Sequence, residues 1–256
     1  MRVFLLWVAF INILFFISLL FMSLFLKAEN TQIESFSMAK KKLEKQVYLQ
    51  AQERHTIYCD AEFDSHKNVI APSGFESEKY QKRAKRIEWE HVVPAENFGR
   101  NFAEWRTGNQ VCINSKGKAF KGRRCAEKAN AEYRYMQADM YNLYPAIGSV
   151  NASRSNFNFV MLGNIKNSFG SCAMKIADRK AEPPEASRGI IARTYLYMDS
   201  LYPRYKMSRQ QRQLMNAWNK IYPVNAWECE RAKRIQAVQG NPNLVVQQSC
   251  QSAGLN

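Results

Sequence analysis

The chain opens with an apolar run and then changes to amphipathic patterns. After Arg2, residues 3–26 are almost wholly apolar, and the run ends at Lys27. Such a run is long enough to span a bilayer, and a positive residue ahead of it is typical of an export signal. Because Lys27 is not a small residue, cleavage is not assured, so residues 1–28 are predicted to be a signal peptide or a membrane anchor. Either one would place residues 29–256 on the far side of the membrane.

Helical spacing dominates beyond the leader. Residues 29–50 lead into a helix with lysines on its polar face, and Ser208 is a good N-cap for one of the later helices. The later helices are predicted over 126–142, 185–201, 208–221 and 225–238. The few strands cluster between residues 60 and 95. This balance predicts one mostly helical α+β domain.

The best strand signal is the alternation of apolar and charged residues in IEWEHVV, which Pro94 ends. Further on, Asn142-Leu143-Tyr144-Pro145 is expected to end the helix over 126–142. The segment AIGSV is then expected to form a turn leading to Asn151, which would cap another helix.

Six cysteines follow the leader, an even number that in an exported chain predicts three disulfides. They are Cys59, Cys112, Cys125, Cys172, Cys229 and Cys250. No pair has CxxC spacing, which argues against a zinc ribbon or a thioredoxin-type site. Cys112–Cys125 and Cys229–Cys250 are the simplest local pairs and would leave Cys59 for Cys172, although 15 connectivities are possible.

The formal net charge of the 256-residue chain is +15. An excess of this size indicates a polyanionic partner, such as nucleic acid, an anionic membrane surface or an acidic polymer. A basic protein without such a partner is the alternative that charge alone leaves open.

His91 has the most promising chemical setting of the three histidines. A single histidine on a strand is more often a half-buried residue bonded to a carboxylate than a catalytic one. On a regular strand Glu88 and Glu90 share one face and His91 takes the other, but a bend at Pro94 could turn neighbours toward one cleft.

Hydrolysis of a phosphodiester needs a base, a hard divalent cation and a positive group for the phosphate. Histidine, carboxylate and amide oxygens, and arginine supply these parts.

Five blocks of the sequence resemble the bacterial endonuclease I family. They are EWEHVVPA, DMYNLYPAIGSVNASRSNFNF, FGSCAMKI, AEPPEASRGIIARTYLYM and the segment from MSRQQRQ to AVQGN, in that order, and the similarity runs from about Tyr58 to Cys250. Members are periplasmic or secreted nucleases that degrade DNA and RNA with little sequence preference. The resemblance implies a ββα-metal (His-Me finger) site in a nuclease domain over residues 29–256.

The match also implies roles for individual residues. His91 would be the general base, and Glu90 and Asn151 would bind the metal through oxygen atoms. Arg123 would hold the scissile phosphate. Arg124, Arg154 and Lys121 are further candidates for substrate binding, while Asn142 and Glu88 are expected to be structural residues near the site, with Asn142 the reserve metal ligand.

The resemblance implies one divalent ion, with Mg²⁺ the first choice and Mn²⁺ or Ca²⁺ as alternatives, and products with 5′-phosphates. It implies a monomer that contacts DNA and RNA through phosphates and touches the membrane only if the leader stays uncleaved.

The sequence leaves two other hypotheses open. One is a basic envelope protein that binds nucleic acid without cutting it, and the other is a metallohydrolase acting on a different phosphodiester or on a cell-wall polymer.

Overall fold

The computed structural model describes residues 29–255, so the predicted leader over residues 1–28 lies outside the described part. Within residues 29–255, none of the helices has the length and apolar character needed to cross a membrane. The described chain is a single α+β domain in which helix exceeds strand, as the sequence predicts.

Residues 29–255 contain eleven α-helices and seven short strands. The helices are α1 (Phe36–Lys42, continued by a π-helical turn over Leu43–Val47), α2 (Gln81–Ala84), α3 (Ala95–Gly99), α4 (Ala103–Arg106), α5 (Arg123–Ala129), α6 (Ala131–Gln137), α7 (Gly148–Arg154), α8 (Glu185–Leu201), α9 (Arg209–Ile221), α10 (Ala226–Gln239) and α11 (Leu244–Ser252). The strands are β1 (Glu62–Phe63), β2 (Val69–Ile70), β3 (Ile87–His91), β4 (Leu143–Ile147), β5 (Asn158–Phe159), β6 (Lys175–Ala177) and β7 (Lys180–Glu182).

The long C-terminal helices confirm the periodicity in the sequence. Helix α8 begins directly after Pro184. Helix α9 is capped by Ser208, whose hydroxyl oxygen accepts a hydrogen bond from the Gln211 backbone N–H, as predicted. Gly240, with φ of 90°, ends α10 in the left-handed conformation that glycine adopts at low cost. Local signals therefore set these boundaries.

The prediction for residues 126–151 was wrong in three places. The expected helix over 126–142 is divided into α5 and α6 at Asn130, whose side chain caps α6 by accepting from the Tyr133 N–H. The expected helix end and the first two residues of the expected turn AIGSV form strand β4, which is buried along its whole length and so shows no alternation, and the last three residues of that turn begin α7. Asn151 lies inside α7, which begins at Gly148, and is not an N-cap.

Two small sheets were only partly anticipated. Strands β1 and β2 pair antiparallel within the predicted 60–95 stretch. Strand β7 pairs parallel to β5 and antiparallel to β6, in a region for which the sequence predicted no sheet. These strands have only two or three residues each, too few for a period-2 pattern to be recognised.

Three disulfides join all six cysteines. The two local pairs, Cys112–Cys125 and Cys229–Cys250, both form. The remaining bridge, Cys59–Cys172, has a sequence separation of 113 residues and joins the segment before β1 to the segment before β6. It is therefore the bridge that most strongly constrains the unfolded chain.

Candidate active site in a basic cleft

Strands β3 and β4 and helix α7 pack together as a ββα unit, although residues 92–142 separate the two strands in the sequence. The two strands are antiparallel, with His91 opposite Leu143 and Glu88 opposite Ala146, and α7 follows β4 directly. Glu88, Glu90 and His91 from β3 and Asn151 from α7 all line one open cavity of about 1020 Å³. Neighbouring residues of β3 therefore share one cleft near the bend at Pro94, although a regular strand would send them to opposite faces.

Cations outnumber carboxylates around this cavity. The basic lining residues are Lys40, Lys41, Lys67, Lys82, Arg83, Arg86 and Arg123, and the acidic ones are Glu44, Glu88, Glu90 and Glu96. Sequence reasoning missed all of these cations except Arg123. Six of the seven lie before β3, on α1 or in residues 67–86. The basic clusters KKK and KRAKR in the sequence contain five of these six, and Lys67 stands outside both. The surplus of positive charge suits a polyanion.

His91 is held as a neutral base. Its Nε2 lies 2.8 Å from the Gln137 carbonyl oxygen, and its ring packs 4.8 Å from the Phe36 ring, centroid to centroid. A carbonyl only accepts, so Nε2 carries the proton and Nδ1 keeps its lone pair. Burial, reinforced by the nearby positive charge of Arg123, lowers the pKa of His91 to about 3. The imidazole is therefore unprotonated at neutral pH.

Glu90 is buried at the end of β3 with one carboxylate oxygen engaged. Its Oε1 accepts from the Tyr58 hydroxyl and from Arg154 Nη1, both at 2.8 Å. None of residues 29–255 donates a hydrogen bond to Oε2. Burial raises the pKa of Glu90, and the guanidinium of Arg154 opposes that shift. Tyr58 carried no sequence signal for this role, since it lies 32 residues before Glu90.

Arg154 does not have the position expected of a substrate-binding residue. Its side chain is fully buried. Besides Glu90, it donates to the His91 and Val92 carbonyl oxygens and to the Tyr195 hydroxyl. The prediction that it contacts substrate does not fit a side chain without solvent access. Arg154 instead holds the end of β3 and the Glu90 carboxylate in position.

Asn151 and Asn142 differ in how their amides are used. Asn151 donates from Nδ2 to Glu88 Oε2 at 2.9 Å, and no residue in the described range donates to its Oδ1. Asn142 is fully buried. It accepts from the Val93 N–H at 2.7 Å and donates to the Val93 carbonyl at 3.0 Å. These contacts give Asn142 a structural place near the site, as expected, whereas Asn151 offers the cavity an amide oxygen.

Arg123 is the first residue of α5 and lines the cavity. Its guanidinium lies 5.3 Å from the Phe36 ring centroid, and its buried Nη2 has no hydrogen-bond partner among the described residues. Arg124 and Lys121 are exposed and are not among the residues that line the cavity. The geometry thus separates Arg123 from its basic neighbours.

The donors in the cavity fit a hard divalent cation. Within residues 29–255, no three His, Cys, Asp or Glu side chains form a cluster that could hold a metal. Glu90 Oε2 and Asn151 Oδ1, a carboxylate and an amide oxygen, are among the cavity oxygens that accept no hydrogen bond from residues 29–255. Mg²⁺ takes such oxygen ligands and keeps several waters, so two protein ligands are an ordinary number for it.

A family model for endonuclease I matches residues 23–250. The chain belongs to the endonuclease I family. It is 38% identical over 231 residues to an extracellular deoxyribonuclease of Aeromonas hydrophila, covering 88% of this chain and 93% of the relative. It is 33% identical over 256 residues to Endonuclease-1 of Buchnera aphidicola subsp. Baizongia pistaciae, covering 96% and 97%. The protein is a nuclease.

A third relative bears on location. The periplasmic deoxyribonuclease of Aeromonas hydrophila is 39% identical over 203 residues, covering 77% of this chain and 79% of the relative. Three disulfides require an oxidising compartment to form and persist. The endonuclease I-family chain is therefore periplasmic or secreted, in agreement with the prediction from its leader.

Proposed function

We propose that this nuclease is a metal-dependent endonuclease that hydrolyses DNA and RNA with little sequence preference, leaving 5′-phosphates. The observation that supports this most directly is the meeting of His91, Glu90, Asn151 and Arg123 around one positively charged cavity. The relatives named as deoxyribonucleases support DNA as a substrate.

Each side chain in the cavity has a distinct part in this proposal. His91 Nδ1 takes a proton from the water that attacks phosphorus. Arg123, whose half-buried side chain lines the cavity, holds a phosphate oxygen with its guanidinium, where charge builds up during attack. Glu90 Oε2 and Asn151 Oδ1 would hold one divalent ion, Mg²⁺ with Mn²⁺ or Ca²⁺ as substitutes. When bound, that ion supplies positive charge to the scissile phosphate and the leaving 3′-oxygen.

The cations around the cavity explain why base sequence would matter little. Lysine and arginine contacts to phosphate position a nucleic acid without reading its bases. Such contacts also make affinity fall steeply with salt. The same contacts serve deoxyribose and ribose chains, so RNA is cut as well. We propose that the monomer acts without a protein partner.

A plasmid-nicking assay tests the proposal. Purified protein should convert supercoiled DNA to fragments with Mg²⁺ and should not do so with EDTA. His91→Ala should abolish cutting and keep DNA binding, whereas His66→Ala, at an exposed residue that does not line the cavity, should cut like the wild type. DNA binding without cutting by the wild-type protein would support the non-catalytic alternative and refute the proposal.

The chemical ends of the products and the activity on RNA are tested separately. Products with 5′-phosphates should ligate without prior kinase treatment and should fail to ligate after phosphatase. A structured RNA should be degraded under the same conditions and should be protected by His91→Ala. Fragments with 3′-phosphates would contradict the proposed direction of bond cleavage, and intact RNA would restrict the substrate to DNA.

A further inference from the structure

Glu88 lines the same cavity as Glu90 but has a different set of contacts. Arg83 Nε donates to Glu88 Oε1 at 2.7 Å, and Arg83 Nη2 donates to Oε2 at 2.5 Å. Asn151 Nδ2 also donates to Oε2, at 2.9 Å. Both oxygens of Glu88 are therefore engaged by protein donors, whereas only Oε1 of Glu90 is.

These contacts decide which end of the Asn151 amide is free. An ionised carboxylate accepts hydrogen bonds and donates none, so Glu88 selects the amide orientation with Nδ2 toward it. The other orientation would place Oδ1 against a carboxylate oxygen and offer the cavity an NH₂ group, which does not bind a cation. Glu88 thus leaves the oxygen as the unengaged end of Asn151.

Helix α7 approaches β3 closely enough for this contact because of Gly148. A Cβ at position 148 would lie 2.9 Å from Glu88 Oε1 and 2.5 Å from the Arg83 carbonyl oxygen. Asn151 is three residues further along the same helix, and so lies on the same side of it. Because Gly148 has no side chain, the Arg83–Glu88 pair can lie against α7 beside Asn151.

We propose that Glu88 is a positioning residue that orients the Asn151 amide so that Oδ1 binds the divalent cation, with Arg83 holding Glu88 in place. The inference rests on the proposed function, since it assumes a cation on Glu90 and Asn151. Groups that orient metal ligands in this way commonly contribute 10–100-fold to metal affinity.

The test is Mn²⁺ binding without nucleic acid, followed by the paramagnetic resonance signal of free Mn²⁺. Glu88→Gln should weaken binding by about 10–100-fold. With Arg83 bonded to its oxygen, the glutamine presents its NH₂ group to Asn151 and forces the amide to turn. Combining Glu88→Gln with Asn151→Asp reverses donor and acceptor at unchanged total charge, and should recover most of the lost affinity.

Glu96→Gln is the matched control. Glu96 lines the same cavity and also bonds an arginine and an asparagine, Arg100 and Asn156, but neither is a proposed ligand. This variant should bind Mn²⁺ like the wild type. All variants should keep the wild-type melting temperature in EDTA, which separates a local effect from misfolding.

Two results would overturn the inference. Wild-type Mn²⁺ affinity in Glu88→Gln would show that Glu88 does not position Asn151. A Mg²⁺-bound crystal structure with Glu88 at coordination distance, about 2.1 Å, would make it a ligand instead. Failure of the proposed function is distinguishable, because the wild-type protein itself would then bind no Mn²⁺ or cut no DNA.

Discussion

Arg154 and Glu90 form an ion pair in the interior, with Nη1 and Oε1 2.8 Å apart. Arg154 is fully buried, and only 5% of the Glu90 side chain is exposed. The pair joins the end of α7 to the end of β3, so it locks the helix of the ββα unit to the strand that carries His91. The carboxylate proposed to bind a cation is thus also part of the structural core.

Arg154→Met should destabilise the protein by about 3–5 kcal/mol, because it leaves the Glu90 carboxylate buried without its charged partner. Urea denaturation at pH 7 in EDTA measures this. The control is Arg204→Met, which breaks the exposed pair with Glu132 and should cost less than about 1 kcal/mol. Equal losses in the two variants would contradict the structural importance of the buried pair.

The helices of the C-terminal half were readable from the sequence, and strand β4 was not. Ser208 and the proline before α8 are local signals, and they marked the helix starts correctly. Strand β4 is buried on both faces and contains Pro145, which reads as a helix terminator. A proline is tolerated there because the sheet has two strands and each is an edge. Its carbonyl accepts from the Ile57 N–H on the side away from β3.

The sequence also predicted only some of the residues that build the site. Glu90 and His91 are neighbours, so one motif located both. Tyr58 reaches Glu90 from 32 residues earlier in the chain, a contact that no local pattern records. Arg83 is only five residues from Glu88, but the basic cluster KRAKR does not show which of its cations bonds that carboxylate. Arg154 was assigned to substrate because arginine commonly binds phosphate, and only its burial shows that its partners are protein groups.

His91 should make the metal-free protein sensitive to acid. Its pKa is about 3 in the folded state, against an ordinary value of 6.5. The unfolded chain therefore binds a proton first, and the stability present above pH 6.5 is lost as the pH falls toward 3. Between pH 6.5 and 4 this one group should cost about 3 kcal/mol.

Urea denaturation of wild type and His91→Gln in EDTA over that pH range isolates the contribution of His91, because the other titrating groups are common to both proteins. His91→Gln should lose less stability on acidification. His66→Gln, on the exposed loop, should follow the wild type. Parallel curves for wild type and His91→Gln would show that His91 is not held neutral by burial.

Arg123→Ala should lower the rate of DNA cleavage by about 10²–10³-fold, as expected for loss of a donor that stabilises developing charge. Stability should change little, since Nη2 of Arg123 bonds to none of the described residues. Arg124→Ala is the control, because that neighbour is exposed and lies outside the cavity lining. The measurement is the rate of DNA cleavage by each variant at saturating Mg²⁺. Similar rates for Arg123→Ala and Arg124→Ala would show that Arg123 does not hold the scissile phosphate.

The Cys59–Cys172 bridge should contribute more to stability than the Cys229–Cys250 bridge. Their sequence separations are 113 and 21 residues, and the chain-entropy model gives the longer loop an advantage of about 1.5 kcal/mol. Each pair is replaced by serines and unfolded in urea. Cys59 also adjoins Tyr58, whose hydroxyl bonds Glu90, so its loss should reduce Mn²⁺ affinity while loss of the C-terminal bridge leaves it unchanged. Equal Mn²⁺ affinity in the two serine variants would show that the bridge stabilises the fold without supporting the site.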